Sequence, residues 1–566
     1  MTGHTAELPS GDASRHAAVI EIGSTGIRLL LAEFTSPGEW RILDQAGKPV
    51  ALGRDVFTSG AVSRESFLEC LSVLQGFLEQ LRAWDIQEGD IHIIATSAVR
   101  AARNRDIFTD RLHRETGLNP TIIEGIEENR LMYLAVRFAL KNELSLFWRS
   151  NSMILDVGGG STEIMLLRRG KMVAAHSLRL GTILIDQKVR QGTGSIRFVE
   201  RYLTESVRNT QEFLNDEMDL SNIRTLVAAG SDARQAARHI GRDLNEHCRI
   251  IKKEDFLDFV KTVENYTVED CVQRLGIPYV DAEGFVPGLR IYRTFLERVS
   301  AEELAAPAVS IREGYLIDLA RTVMPPAQGG MDRELQDDFY SQISASAISL
   351  GRKYHFDEDH SRHVAHLSMA FFDALTKEHG MNAHDRMLLE TAAILHDIGM
   401  FIRSSRHQQH GQYIVANSEI FGLKQEDLDI VGNVIRYHRD ELPSPRDIDY
   451  IALQREDRIL VLKMASILRV ADALDRGHSR RIAGIRIEKR EETLIIHGRD
   501  SPEQENTEKE PPEKYPAEKN APEEGSPRGL DPYSPVVYRD MSLEQIGLRE
   551  KAGLFQDVFG YKVILV

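Results

Sequence analysis

From residue 17 to about 325, apolar runs of strand length alternate with stretches of helical spacing. Ala18 to Ala32 reads as strand, glycine turn, strand, with Glu21 ahead of Gly23-Ser24-Thr25-Gly26. Met153 to Leu167 reads the same way, with Asp156 ahead of Gly158-Gly159-Gly160-Ser161-Thr162-Glu163. Each turn is entered through an acid, so one supersecondary unit is expected in two halves. Ile91–Ala95 and Thr225–Ala229 are short apolar runs ending in turn residues, as buried strands are. Phe67, Leu71, Leu74, Leu78 and Leu81 mark a helix over Ser66 to Leu81, and Phe198 to Phe213 carries a similar pattern. This alternation predicts the α/β class.

The texture changes at Met324-Pro-Pro-Ala-Gln-Gly-Gly330, which reads as a linker. Arg333 to Asp475 reads as helix after helix, and Gly484 to His497 as a β-hairpin. Ser501 to Pro535 holds eight of the 19 prolines, with many Glu and Lys. Such a segment cannot bury enough surface to offset its ordering entropy, which predicts a disordered insertion over 501–535. Leu548 to Val566 is apolar again and is expected to dock on the fold. The expected divisions are 17–130 and 131–325 as two lobes, 331–483 as a helical domain, and 484–566 as a C-terminal segment.

Bulk composition narrows the function. The 566 residues are 42% hydrophobic, ample for several cores. A net charge of -16 argues against nucleic acid as a partner, and a polyanionic substrate would need a local basic lining. Three scattered cysteines imply neither a disulfide framework nor a metal spacing and fit a reducing compartment. Met1 to His16 is polar, with no signal core, and no apolar run approaches about 18 residues. The expectation is a cytoplasmic protein without a membrane partner.

Three consecutive glycines weaken a strand end unless something approaches the backbone. Turn amides of this kind converge on anions, and Ser161 and Thr162 add hydroxyl donors. Asp156 and Glu163 suit a hard cation such as Mg²⁺. Taken alone, the alternative for the GGGST turn is a tight hairpin with a solvated acid, and Gly23-Ser24-Thr25-Gly26 by itself is a weak signal. Two of them facing each other would grip a phosphate chain.

These segments and others in the same order resemble the exopolyphosphatase / guanosine-pentaphosphate phosphohydrolase family. The matching residues are Leu52-Gly53, Ala95-Thr96-Ser97-Ala98-Val99-Arg100, Thr116-Gly117-Leu118, Gly125-Ile-Glu127-Glu128-Asn-Arg130-Leu131, the GGGSTE stretch, Ser177-Leu-Arg-Leu-Gly181, Pro287-Gly288 and Arg312-Glu313-Gly314. The resemblance implies a two-lobed actin/Hsp70/sugar-kinase-like (ribonuclease H-like) fold and stepwise hydrolysis of a terminal phosphoanhydride. It assigns Glu128 as the residue that activates the attacking water and Arg100 as a phosphate-contacting residue. Gly23, Ser24, Thr25, Gly158, Gly159, Gly160, Ser161 and Thr162 would cradle phosphate, and Glu21, Asp156 and Glu163 would hold Mg²⁺ or Mn²⁺. Without the resemblance, Glu127 and Glu128 read as acids offsetting a helix dipole, and Arg100 as part of a basic face. Three positions depart from the family pattern: Glu21 replaces an aspartate, Thr25 an asparagine, and Gly230-Ser231-Asp232 a Gly-Gly-Thr.

Ten of the 19 histidines lie between His355 and His438. The order His360, His396-Asp397, Asp472 resembles the HD metal-dependent phosphohydrolases, which implies a divalent metal held by these four residues. His410 and His438 stand where two-metal members place further ligands, with a helix-surface role still open for His407 and His410. His363 and His366 share the face of His360. Expected partners are polyphosphate or guanosine polyphosphate, and the helical domain could extend a polyphosphate channel, bind a nucleotide or support a homodimer. Two alternatives to an exopolyphosphatase are a nucleotide phosphohydrolase centred on the HD residues and a non-catalytic alarmone or nucleotide sensor.

Overall fold

The computed structural model describes residues 15–36, 39–141, 143, 149–191, scattered positions from 201 to 217, and 218–323, 331–439, 441–500 and 541–566. The predicted linker at 324–330, the insertion at 501–535 and most of the helix over Phe198–Phe213 lie outside the described residues. The chain divides into two compact units. One is residues 1–353 with 418–425, and the other is 354–417 with 426–566.

The first unit holds two sheets. The strands of the first are β1 (Arg15–Ile22), β2 (Gly26–Ser36), β3 (Glu39–Pro49), β4 (Ile91–Ala95) and β5 (Pro120–Ile122), in the order β3-β2-β1-β4-β5. The second has β6 (Asn151–Val157), β7 (Thr162–Arg168), β8 (Lys171–Leu178), β9 (Ile223–Ala229), β10 (Arg242–Asn245), β11 (Cys248–Lys252) and β12 (Glu303–Pro307), in the order β10-β11-β12-β9-β6-β7-β8. In the first, β1-β2-β3 is an antiparallel meander and β4 and β5 continue in parallel from β1. In the second, β6-β7-β8 is the meander and β9 and β12 continue in parallel from β6. The expected duplication is therefore present at the level of topology, with β10 and β11 added at one edge.

Both faces of these sheets are covered, which is why their strands read as near-continuous apolar runs. On β1, Ala18, Ile20 and Ile22 face a core shared with the helix Arg64–Ala83, while Ala17 and Val19 face a second core. That second core also takes Ile154 of β6 and Met165 of β7. It includes Leu131 and Ala135 of the helix Gly125–Ala139 and Ile311 and Leu316 of the helix Ile311–Val323. Alternation then sends Glu21 and Asp156, one step beyond the last apolar positions, toward this same shared layer.

The helix Met331–Lys353 packs within the first unit, although the linker reading groups it with the helical region. Its Gln342 side chain is fully buried and reads the edge of β8: it accepts from the Met172 N–H at 2.8 Å and donates to the Gly170 carbonyl at 3.1 Å.

The second unit is mainly helical, with helices Glu358–Ala374, Ala383–Leu395, His407–Ala416 and Arg455–Ala473. The predicted hairpin forms as β13 (Ile482–Arg490) and β14 (Thr493–Asp500). The chain end docks as expected: β15 (Lys562–Leu565) adds in parallel to β14, and Leu554 and Phe555 are buried. Among the described residues, no helix is long and apolar enough to cross a membrane. The three cysteines are free and buried.

Candidate active site and candidate metal centre

The two glycine turns have the same geometry. The Gly23 N–H donates to the Gly26 carbonyl at 3.0 Å, and the Gly158 N–H to the Ser161 carbonyl at 2.9 Å. Their carbonyls are tied to neighbouring segments: Ser24 O accepts from Gly53 N–H and Thr25 O from Val50 N–H, while Gly158 O and Gly159 O accept from the Thr182 and Ile183 amides. The amide N–H groups are what each turn has left to offer an anion. The turns also touch. A Cβ on Gly159 would lie 2.8 Å from Ser24 Cβ and 3.3 Å from Thr25 Cγ2. Gly159→Ala should therefore push the turns apart, costing about 1–3 kcal/mol of stability. Any turnover that depends on the two turns should fall further than that cost explains, which paired melting and turnover measurements would reveal.

Both turns line one cleft in the first unit. Gly23, Ser24, Thr25, Gly158, Gly159 and Ser161 stand on its wall together with Glu21, Glu128, Asp156 and Glu163. Gly160 and Thr162 are not on this wall. Thr162 pairs with Val157 one step out of phase with the Asp156–Glu163 pair, and its hydroxyl donates to the Leu180 carbonyl. Strand register thus turns Thr162 away from the wall, and Phe57 and Ser97 occupy the space beside Gly160.

Glu128 lies in the first turn of the helix Gly125–Ala139, buried, and its Oε1 accepts from Arg100 Nη1. The same Nη1 donates to the Ile123 carbonyl at 2.5 Å. Arg100 is not among the residues lining the cleft, and its guanidinium holds Glu128 in place. The neighbouring Glu127 does different work: it pairs with Arg130 at 2.7 Å, and Arg130 continues to Asp318 at 2.7 Å. Gly125 fits against the Ser177 side chain, and Ser177 Oγ donates to Glu163 Oε1 at 2.9 Å.

The cleft is crowded with carboxylates. Burial pushes Asp156 up to about 7, with Glu128 and Glu21 adding to the effect. Burial also raises Glu163 well above the usual range, with repulsion from Glu128 and Asp156 behind it. Glu128 is raised by burial against the pull of Arg100. An oxygen-only donor set whose carboxyls are pushed toward protonation by burial and mutual repulsion fits a hard divalent cation, which would take the place of those protons. Among the described residues, however, no three ligand atoms here come within 4.8 Å of one another, so water would have to complete the shell. Glu21 has a competing partner as well: its Oε2 meets Arg312 Nε at 3.3 Å.

Three wall residues carry chemistry that the sequence motifs alone do not expose: Arg28, Arg234 and Asp281 line the cleft, together with Arg312 of the Arg312-Glu313-Gly314 motif. Arg28 pairs with Glu21 in the β1–β2 register and reaches Asp281 at 3.1 Å. The Arg312-Glu313-Gly314 motif resolves into three tasks. Arg312 holds Glu21, Glu313 accepts from the Ser310 N–H at 2.7 Å, and Gly314 lets its helix approach the Leu131 backbone. The signal for Arg28 was available as the partner of Glu21 across a two-strand turn; nothing local marks Asp281.

Residues 35–323 match the model of the Ppx/GppA phosphatase family, and residues 344–501 match Ppx/GppA phosphatase, domain III. The chain belongs to the Ppx/GppA phosphatase family. It is a hydrolase of that family. A guanosine-5'-triphosphate,3'-diphosphate pyrophosphatase of Pseudoalteromonas atlantica is 23% identical over 474 residues, covering 82% of this chain and 87% of the relative. The protein of the same name from Aliivibrio fischeri is 22% identical over 459 residues, covering 80% and 87%. Among solved structures, an exopolyphosphatase from Cytophaga hutchinsonii aligns with a TM-score of 0.47 at 19% identity, over 54% of this chain and 98% of that one. The Aquifex aeolicus Ppx/GppA family member aligns with a TM-score of 0.43 at 24% identity, over 55% and 99%.

The second unit of this Ppx/GppA family member brings five of its six expected metal residues together. His360, His396 and Asp472 form one group of converging ligand atoms, and Asp397, His407 and His438 form another. His410 lies outside these groups; His407, one turn earlier on the same helix, takes the place expected for it. Each of the four clustered imidazoles is anchored through Nδ1. His360 meets Asp475 Oδ2 at 2.9 Å, His396 the Ala393 carbonyl at 2.8 Å, His407 the Ser404 carbonyl at 3.0 Å, and His438 the Ile435 carbonyl at 2.7 Å. Anchoring Nδ1 from outside is how metal-ligating histidines are oriented, and it turns every Nε2 inward. The Nε2 atoms of His360 and His396 are buried with no hydrogen-bond partner. Burial lowers His396, and His438 to about 3, favouring the neutral imidazole a metal would need, while Asp475 and Asp397 raise His360 and His407 against the effect of burial.

Proposed function

We propose that the cleft of the first unit hydrolyses the terminal phosphoanhydride of inorganic polyphosphate, and that guanosine pentaphosphate is a second substrate. One observation carries this reading: two facing glycine turns and a buried glutamate share one cleft. A terminal phosphoryl group would lie against the turn amides of Ser24, Thr25 and Gly159. Glu128 takes the proton of the attacking water. A carboxylate raised by burial is a stronger base toward that proton than an exposed one, and Arg100 keeps it aimed. Arg28, Arg234 and Arg312 supply the local basic lining that a chain of net charge -16 needs. Asp156 and Glu163, with Glu21 through water, are the groups that would hold Mg²⁺ or Mn²⁺, which when bound offsets phosphoryl charge. Positioning and charge neutralisation are the main contributions a protein makes to phosphoryl transfer.

The test is release of inorganic phosphate from long polyphosphate and from guanosine pentaphosphate with either metal, using the full chain. Release from one or both supports the reading. No release from either substrate, with metal bound and the protein folded, removes it.

A second reading concerns the other unit. The orphaned Nε2 atoms of His360 and His396 favour an HD-type metal-binding domain, with Asp397 and Asp472 as the carboxylate ligands. Imidazole with carboxylate suits Mn, Fe or Zn as well as Mg.

A further inference from the structure

The helix Ser542–Lys551 ends on the histidine cluster. Lys551 Nζ forms an ion pair with Asp472 Oδ2. The other oxygen of the same carboxylate faces the inward imidazoles, at 3.7 Å from His360 Nε2 and 3.9 Å from His396 Nε2. The ammonium is therefore one carboxylate away from where a cation would sit. Exposure around the cluster is uneven. The His360 and His396 side chains are 0% exposed, whereas Asp397, Lys551 and Asp472 keep 16%, 13% and 10%. These three and His478, which stacks on His360 at 3.6 Å and is 44% exposed, form the accessible side of the cluster, and of them Lys551 is the permanent cation. An ammonium has three donors, and Asp472 does not exhaust them.

We propose that Lys551 is the anion seat of the metal centre in the second unit: a phosphate or phosphoester oxygen binds between the bound cation and the Lys551 ammonium. This rests on the reading of that unit as a metal-binding domain. The charges set an order of binding. Before a cation arrives, Asp397, Asp472 and Asp475 outnumber Lys551 and repel an anion. Once Asp472 shares its charge with a cation, the ammonium is released toward the accessible side and the balance favours an anion. Metal binds first and phosphate second. The terminal helix is thus part of the site, although it follows the centre's other residues by a long stretch of chain.

Co²⁺ titration of the full chain tests this, because imidazole ligands shift the visible Co²⁺ absorption and the part of the band that His396→Ala removes belongs to this centre. Inorganic phosphate is then added as the probe. In the unsubstituted protein, Co²⁺ should saturate the band and phosphate should shift it. Lys551→Met should bind Co²⁺ as tightly or more so, since a competing cation is gone, yet bind phosphate roughly 10–100-fold more weakly. Lys551→Arg should recover part of that loss. Unchanged phosphate affinity in both variants overturns the anion seat, as does loss of the Co²⁺ band in Lys551→Met. A different failure marks the underlying reading: no band in the unsubstituted protein, indistinguishable from His396→Ala, removes the metal centre and the seat with it.

Discussion

Glu128→Gln is expected to lower the rate of phosphate release from polyphosphate by roughly 10²–10⁴-fold, the usual contribution of a positioned general base. Glutamine has the same length and keeps an acceptor for Arg100 Nη1, so the helix Gly125–Ala139 has no reason to move. What it cannot do is take a proton. The turns that would hold the phosphate chain come from β1–β2 and β6–β7, and neither contains Glu128. The loss should therefore appear in kcat, with KM little changed. Initial rates over a range of polyphosphate concentrations, with melting curves to confirm matched stability, separate these cases. A variant that retains full kcat would remove Glu128 from the mechanism. A raised KM with intact kcat would make it a binding residue instead.

Much of the first unit was legible because its strands obey simple period rules. The run Ile91–Ala95 became β4 with the same bounds, and the helix marked by Phe67, Leu74, Leu78 and Leu81 runs from Arg64 to Ala83. The two turns announced themselves through glycine, and their shared cleft follows from both acids lying on the faces of β1 and β6 that meet one core. Legibility stopped where direction, not type, mattered. Thr162 carries the right chemistry for a phosphate cradle, but its register with Val157 turns it to Leu180. Arg100 has the right charge, and one of its terminal nitrogens, Nη1, is taken by Glu128 and the Ile123 carbonyl. His407 and His410 are neighbours on one helix face, and spacing alone cannot say which reaches Asp397; His407 does, at 3.0 Å. Lys551 on Asp472 and Arg312 on Glu21 are contacts between segments far apart in the chain, and no local pattern encodes them.

Asp232 is the departure from the family pattern with the largest measurable consequence. Its carboxylate is buried on the cleft wall, faces Asp281, and has the Ser231 hydroxyl as a weak donor at 3.4 Å. Arg28 lies nearby but gives its hydrogen bond to Asp281 at 3.1 Å. Burial raises Asp232 well above the usual value of 3.8, with Asp281 reinforcing the shift. The sign then follows. A carboxyl raised in the folded state contributes stability that is complete below its unfolded pKa and is lost as pH rises through the folded one. Asparagine has the same shape and no such titration. In the presence of a chelator, Asp232→Asn should therefore melt with the unsubstituted protein near pH 4 and above it at pH 8. Each kcal/mol gained is worth roughly 2–4 °C for a unit of a few hundred residues. Where Asp232 is ionised, at the alkaline end of the range, the same change removes a negative charge from a wall that would meet phosphate, so KM for polyphosphate should fall about tenfold there, the equivalent of roughly 1.4 kcal/mol, and be unchanged where Asp232 is protonated. Melting curves across the pH range and steady-state rates at pH 8 measure both effects. A stability difference that does not vary with pH, or a variant that melts lower at pH 8, would mean that Asp232 is held ionised by a partner in the fold and serves the cleft as a charge.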